Sequence, residues 1–289
     1  MDDLAPASGS VGRPCGQPME QLKRVASAIV ILPPLLFFLY YAPPGLFSLF
    51  VLALVAISLH EYFQMLMLTQ LPVCSSTSYV AAFLLVCSAH LGGIHGMSAA
   101  LSLGLVLLCL SALCTPQLAS QRFLGLLHSL FAVLFIGWPL SYLVLLRGLQ
   151  AGKWYLFFLC AIVWIGDSMA MYVGKSLGRH KMAPSISPGK TWEGAAGGVL
   201  AGLTTALIGA HFLLPELMPW QSLCLGLVVT VGAQVGDLGE SMIKRYAGVK
   251  DSGELIPGHG GLLDRIDSLL LAAPMLLYAV GFLLRGQQP

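Results

Sequence analysis

The residues with the clearest chemical potential lie in QVGDLGESMIKR, at the end of a long apolar stretch. Four polar residues follow the spacing i, i+3, i+4, i+7: Asp237, Glu240, Ser241 and Lys244. This spacing puts all four on one face of a helix. A carboxylate inside a membrane helix is costly unless it binds a cation or faces water, so a functional role is expected. A structural ion pair between helices is the alternative.

A second carboxylate-bearing helix is predicted to begin at LLDRIDS, where Asp264, Asp267 and Ser268 share a face. The loop before it, residues 250–261, is rich in glycine and contains Lys250 and His259. Carboxylates from two helices, without a His/Cys cluster, suit Mg²⁺ held jointly with substrate phosphates. Basic side chains and glycine N–H groups suit phosphate oxygens. The pattern predicts phosphate chemistry at a membrane surface.

A third stretch, residues 166–194, has the same character. Asp167 lies near the end of a predicted helix, and a basic connection then leads to Ser187-Pro188-Gly189-Lys190-Thr191. A new helix is predicted to begin there, with Glu193 in its first turn. Hydroxyls, a glycine and a lysine before a helix N-terminus predict an anion cradle, although the spacing is not that of a Walker A loop. An ordinary basic loop with a helix cap is the alternative.

The composition predicts an all-α, polytopic integral membrane protein that holds these residues. Of 289 residues, 57% are hydrophobic and 10% are charged, and the mean hydropathy is +0.82. Soluble domains carry about 25% charged residues. A crossing needs roughly 20 apolar residues, which predicts about nine transmembrane helices. They lie near residues 25–41, 45–60, 78–94, 97–114, 124–146, 154–173, 192–213, 221–243 and 262–284.

The basic residues predict the orientation of these helices. With nine crossings, twelve of the fifteen lysines and arginines fall on the side of the N-terminus, which the positive-inside rule makes cytoplasmic. We therefore expect a multi-pass protein of the cell (inner) membrane. Its N-terminus and its active site, at one face of the C-terminal half, are predicted to be cytoplasmic.

Charge also divides the chain into two unequal parts. Residues 25–152 contain only three charges, whereas residues 167–267 carry seventeen of the chain's twenty-eight. We predict a single transmembrane domain over 25–289, with scaffold helices at 25–152 and a catalytic half at 153–284. Residues 1–24 are predicted to form a polar, disordered cytoplasmic tail. His60-Glu61 is interpreted as an interfacial pair at the end of the second helix, with a contribution to the site as the alternative.

The run SMIKRYAGVKDSGELIPGHGGLLDRID, residues 241–267, resembles the C-terminal signature of phosphatidate cytidylyltransferases (CDP-diacylglycerol synthases). It fills that signature's Ser-x-apolar-Lys-Arg, Lys-Asp, His-Gly-Gly and Asp-Arg-apolar-Asp positions. Upstream, DSMAMYVGKSLGRHKMAPSISPGKTWEG is similar to the family's Asp-Ser and Ser-Pro-x-Lys-Thr-x-Glu-Gly segments. The resemblance implies transfer of CMP from CTP to phosphatidate, giving CDP-diacylglycerol and pyrophosphate in phospholipid biosynthesis.

The resemblance also implies roles for individual residues. The family's metal-binding aspartates correspond to Asp237 and Asp264, with Asp167 and Glu240 in the same metal region. The cofactor is expected to be Mg²⁺, and a second cation such as K⁺ stays open. Catalytic roles are assigned to Asp237, Lys244, His259, Asp264 and Asp267. Substrate-binding roles are assigned to Ser187, Lys190, Thr191, Ser241, Arg245, Lys250, Asp251, Gly260, Gly261 and Arg265.

The expected partners are CTP, phosphatidate and the lipid bilayer; no nucleic acid is expected, and a homodimer stays open. Two related activities are alternatives: a CTP-dependent lipid kinase and an ether-lipid cytidylyltransferase. A cation-coupled transporter is a more distant one, because it predicts charges near the bilayer midplane and repeated halves. Here the charges cluster at one predicted face, and no internal repeat is visible.

Overall fold

The computed structural model describes residues 32–69, 73–253, 255 and 260–284, and these are predominantly helical. The helices are α1 Leu32–Tyr41, α2 Pro44–Met67, α3 Ser75–Cys114, α4 Ala119–Ala132, α5 Trp138–Arg147, α6 Gly152–Leu177, α7 Trp192–Leu213, α8 Pro219–Tyr246 and α9 Leu263–Leu283. A π-helical turn, Val133–Gly137, joins α4 to α5. The predicted helical membrane fold is confirmed; the predicted tail, residues 1–24, lies outside the described residues.

The described residues also include a β-hairpin. In the connection between α6 and α7, β1 Lys181–Ala183 pairs antiparallel with β2 Ser187–Thr191. The sequence predicts only a basic connection here, because strands this short carry no clear periodicity. The turn at 184–186 places the predicted anion-binding residues of β2 directly before α7.

Seven of the described helical segments are long and apolar enough to cross a membrane. The longest, α3, has 40 residues and breaks at Gly93, whose φ of 59° is a left-handed value that suits glycine. Its two arms fold back on each other, since Thr77 Oγ1 donates to Ser111 Oγ over 2.9 Å. The arms correspond to the helices predicted at 78–94 and 97–114, and the count of nine crossings stays a prediction.

Small residues bring the helices of the catalytic half close together. On α7 the buried residues recur every four positions: Gly194, Gly198, Gly202, Ala206 and Ala210. Such a stripe lets helix backbones approach within a membrane. Between α8 and α9 a Cβ on Gly236 would lie 2.5 Å from the carbonyl oxygen of Asp267. This close approach sets the carboxylates of α8 and α9 side by side.

The chain order brings the predicted site residues to one end of the helix bundle. That end contains the C-terminal ends of α2, α6 and α8 and the N-terminal ends of α7 and α9. At the opposite end, Arg147 Nη2 donates to the carbonyl oxygen of Ala42 over 2.7 Å, and Lys153 lies over the Tyr40 ring. In the folded protein the predicted site residues therefore lie together at one end of the bundle, and Arg147 and Lys153 lie at the other.

Candidate active site

A cavity of about 350 Å³ lies between α6, the β-hairpin, α7 and α8. Five residues that the sequence analysis singled out line it: Asp167, Ser187, Lys190, Thr191 and Asp237. We call this cavity the hairpin pocket. It joins two of the three chemically suggestive stretches, 166–194 and 234–245, in one space.

The hairpin pocket contains an ion pair and a helix cap. Lys190 Nζ, on β2, lies 2.8 Å from Asp237 Oδ1, on α8. Thr191 Oγ1 accepts the backbone N–H of Gly194 over 3.1 Å and so caps α7. A helix cap in this segment was the alternative to the predicted anion cradle, which stays a prediction. Glu193 accepts the backbone N–H of Arg179 and of His180, which holds the start of the hairpin against α7.

Three aspartates from three helices face one another beside the pocket. Asp167 is on α6, Asp237 on α8 and Asp267 on α9, and the three carboxyl groups influence one another electrostatically. Asp267 is buried, and its Oδ1 accepts the backbone N–H of Ser268. A nearby like charge disfavours the ionised form of a carboxyl group, and a cation beside it offsets that effect. Lys190 supplies one positive charge to the group.

A second network, which we call the loop cluster, surrounds the start of α9. Asp264 Oδ1 lies 2.6 Å from Lys244 Nζ, and Asp264 Oδ2 accepts the backbone N–H of Ser252 and of Gly261 over 2.8 and 2.9 Å. Lys244 Nζ also lies 2.6 Å from Glu240 Oε2. Glu240 is fully buried, so this lysine balances two carboxylates in an environment where an unpaired charge is costly.

Glu61, from α2, completes the loop cluster. Its Oε1 accepts the backbone N–H of Leu262 and its Oε2 accepts that of Leu263, both over 2.8 Å, and the Ser252 hydroxyl lies 3.1 Å from Oε2. The side chain is buried, whereas His60 is exposed. The favoured interpretation of these two residues as an interfacial pair is therefore wrong for Glu61. Glu61 is a lone carboxylate in an apolar stretch, and this is the signal from which its place in the loop cluster could have been predicted.

Comparison of the sequence with known proteins identifies the family of this chain. A sequence model described as the cytidylyltransferase family matches residues 22–283. The chain belongs to the cytidylyltransferase family. The matched range includes every residue of the hairpin pocket and of the loop cluster.

Curated bacterial proteins are similar to part of this cytidylyltransferase-family chain. A phosphatidate cytidylyltransferase of Bacillus subtilis is 45% identical over 151 residues, which are 51% of this chain and 55% of that protein. One of Haemophilus influenzae is 44% identical over 137 residues, 46% and 48% of the two chains. An uncharacterised Escherichia coli protein, YnbB, is 42% identical over 168 residues, 55% and 56%. The chain spans about half the length of the curated relatives it matches.

The two aspartates that the family resemblance assigns to a metal each have their own lysine. Asp237 pairs with Lys190 in the hairpin pocket, and Asp264 pairs with Lys244 in the loop cluster. Each ammonium lies against a carboxylate oxygen, where a metal cation would also be stabilised. The oxygen-only donors fit Mg²⁺, which proteins bind through one or two carboxylates together with substrate phosphates. Among the described residues, no three His, Cys, Asp or Glu side chains form a metal-sized cluster.

The structure places the remaining predicted residues around these two networks. Arg245 donates to the carbonyl oxygens of Ile186 and Val249, over 3.0 and 3.1 Å, and so links α8 to the hairpin turn. Ser241 Oγ lies 3.5 Å from Asp237 Oδ1. Arg245, Lys250, Asp251 and Arg265 are exposed. His259 lies outside the described residues, and the substrate-binding and catalytic roles of all these residues stay predictions.

Gly260 and Gly261 have structural reasons to be glycine. Gly260 has a φ of 80°, in the left-handed region, and a Cβ there would lie 2.8 Å from Asp264 Oδ2. A Cβ on Gly261 would lie 2.6 Å from Glu61 Oε2. The backbone therefore approaches two carboxylates at a distance that no larger residue allows.

Proposed function

We propose that this protein is a phosphatidate cytidylyltransferase, which transfers CMP from CTP to phosphatidate and releases pyrophosphate. The observation that carries the proposal is the meeting of Asp167, Asp237 and Lys190 in the hairpin pocket, next to the Lys244–Asp264 pair. Carboxylates for a metal and lysines for phosphates, at one end of a membrane helix bundle, suit a nucleotide that must meet a lipid phosphate. The names of the bacterial relatives support the same reaction.

The reaction forms one bond and breaks one. An oxygen of the phosphatidate phosphate attacks the α-phosphorus of CTP, and the bond from that phosphorus to the oxygen that bridges it to the β-phosphorus breaks. Pyrophosphate leaves with that electron pair. Since the attacking phosphate oxygen is already ionised, no strong general base is required. Lys190 and Lys244 would balance negative charge that develops on the transferred and leaving phosphates.

The proposal assigns Mg²⁺ to Asp237 and Asp264, with Asp167 and Glu240 in support. When bound, Mg²⁺ would polarise the phosphoryl oxygens and offset the charge of the pyrophosphate. Two of these residues, Asp167 and Asp237, line the hairpin pocket. The other two, Glu240 and Asp264, meet through the single ammonium of Lys244. Lys190 and Lys244 would thus hold the carboxylates in place before the nucleotide arrives.

The direct test is an assay of purified protein with labelled CTP, Mg²⁺ and phosphatidate in mixed micelles. We expect a labelled liponucleotide and pyrophosphate in equal amounts, and loss of the product when EDTA replaces the metal. Phosphorylation of a polyprenol with CTP, in place of liponucleotide formation, would identify a lipid kinase. Product formation with an ether-linked phosphatidate alone would identify the ether-lipid enzyme. Undiminished turnover in EDTA would contradict the assignment of Mg²⁺.

We further propose that the site faces the cytoplasm, where CTP is made, and that the protein lies in the inner membrane. The described basic residues favour this orientation, because all but Arg147 and Lys153 lie at the end that contains the site.

The orientation can be measured with thiol labelling in a variant whose native cysteines have been replaced. Ser185→Cys lies in the exposed hairpin turn, and Glu216→Cys lies in the connection between α7 and α8 at the opposite end. An impermeant reagent is expected to label Glu216→Cys in intact cells, and Ser185→Cys only after permeabilisation. The reverse pattern would overturn the orientation.

A further inference from the structure

Glu61 lies far from the catalytic half in sequence and is held against it in space. It comes from α2, whereas its three hydrogen-bond partners, Ser252, Leu262 and Leu263, belong to the connection into α9 and to its first residue. The first N–H groups of a helix have no partner within the helix. Leu262, which precedes α9, makes no side-chain cap of its own. Glu61 therefore supplies from another helix the acceptors that a local capping residue normally provides.

Because Glu61 is a carboxylate, this cap is expected to be stronger than one made by a neutral side chain. The N-terminal end of a helix carries a partial positive charge, which favours a carboxylate beside it. The carboxylate is buried, so the interaction is little screened by water. A buried carboxylate without these donors would be costly, which means that Glu61 and the start of α9 stabilise each other.

The Ser252 hydroxyl connects Glu61 to the candidate active site. Its Oγ lies 3.1 Å from Glu61 Oε2 and 3.0 Å from Asp264 Oδ2, and the backbone N–H of Ser252 also donates to Asp264. Asp264 in turn holds Lys244. A continuous series of polar contacts therefore runs from α2 through the loop to Lys244 on α8.

The backbone around Glu61 is shaped to admit its side chain. A Cβ on Gly253 would lie 3.1 Å from Glu61 Oε1, and one on Gly261 would lie 2.6 Å from Glu61 Oε2. Both flanks of the loop therefore approach the carboxylate as closely as glycine allows. The carboxylate fills a space that two glycines leave open.

We propose that Glu61 is a positioning residue for the nucleotidyl transfer. It fixes the start of α9 and the Ser252 and Gly261 flanks of the loop, so that Asp264 meets Lys244 in the geometry that the reaction requires. The proposal rests on the proposed function for its kinetic consequence, but its structural consequence can be measured without any activity. Glu61 is thus a polar contact by which the scaffold half positions the start of α9 in the catalytic half.

The structural arm of the test is hydrogen exchange of the backbone amides of Leu262 and Leu263, which donate to Glu61, in detergent-solubilised protein. Glu61→Gln keeps one carbonyl oxygen and replaces the other with an amide that cannot accept these hydrogen bonds. We expect these amides to exchange at least about tenfold faster than in the wild type, since a free-energy loss of about 1.4 kcal/mol corresponds to one factor of ten. His60→Ala, one residue earlier and exposed, is the matched control and should exchange like the wild type.

The kinetic arm measures kcat and the two KM values with CTP and phosphatidate varied separately. We expect Glu61→Gln to lower kcat by about tenfold or more with both KM values within about twofold, because the contact acts on the reacting geometry through Asp264 and Lys244. The Glu61→Gln, Ser252→Ala double variant should lose less than the product of the single effects, because both residues serve one network.

The two arms separate the failure of this proposal from the failure of the proposed function. Faster amide exchange in a protein that makes no liponucleotide would keep the capping role and refute the reaction. Unchanged exchange at Leu262 and Leu263 would overturn the capping role. Faster exchange with unchanged kcat would overturn the positioning role, and so would kinetic effects of Glu61→Gln and Ser252→Ala that multiply independently.

Discussion

Asp264→Asn is expected to lower the turnover of liponucleotide formation by roughly 10²–10⁴-fold. The Asp264 carboxylate accepts two backbone N–H groups, lies within hydrogen-bonding distance of the Ser252 hydroxyl and forms an ion pair with Lys244. A neutral amide cannot balance Lys244, and removing one partner of a buried ion pair costs about 3–5 kcal/mol. We expect the transition state to lose stabilisation of the same order, because the proposed reaction requires the Lys244–Asp264 geometry; at about 1.4 kcal/mol for each factor of ten, this gives the expected range. The measurement is kcat in mixed micelles at saturating CTP and phosphatidate.

The control for this substitution is Glu216→Gln, which makes the same chemical change in the exposed connection between α7 and α8. It should leave kcat and the midpoint of thermal unfolding unchanged. Asp264→Asn protein should still elute as a folded species in detergent, because nearly all of its helix contacts are apolar. Turnover of Asp264→Asn within a factor of two of the wild type would refute the role of the Lys244–Asp264 pair.

Gly261→Ala is expected to lower kcat/KM by roughly 10²–10⁴-fold although it adds a single methyl group. The new Cβ would lie 2.6 Å from Glu61 Oε2 and 2.8 Å from the Gly253 nitrogen, and it would also meet the Ser252 hydroxyl. Relief of this overlap costs about 1–3 kcal/mol. Each charge-assisted hydrogen bond that breaks in the process costs about 1.5–3 kcal/mol more. Together these losses give the expected range when converted to rate.

Gly281→Ala, near the end of the helix α9 that follows Gly261, is the control. A Cβ at Gly281 would have no atom within 4 Å, so the methyl group has room. Alanine also favours helix over glycine by up to about 1 kcal/mol. This variant should keep full activity and unfold at the same or a higher temperature. If Gly261→Ala were as active as Gly281→Ala, the close approach of the loop to Glu61 would not be required for the reaction.

Much of the fold and of the site was predictable because the relevant relations are local along the chain. Apolar stretches of sufficient length predict membrane helices, and the seven long apolar helices confirm that class. Spacings of three and four residues predict shared helix faces, and the side chains of Glu240 and Lys244 do meet on α8. The cap at Thr191 is equally local, since its partner Gly194 lies only three residues away, although a helix cap in this segment was only the alternative interpretation.

Partner choice between distant residues was not predictable, because it depends on how the helices pack. Nothing in the spacing of charges shows that Lys190 pairs with Asp237 while Lys244 pairs with Asp264. The position of Glu61 is the clearest case, since its partner Ser252 is 191 residues away and the other contacts lie in backbone groups that every sequence contains. Helical periodicity defines which residues share a face of one helix. The small-residue packing of α7, α8 and α9 and the approach of α2 define which faces meet, and that pairing assembles the site.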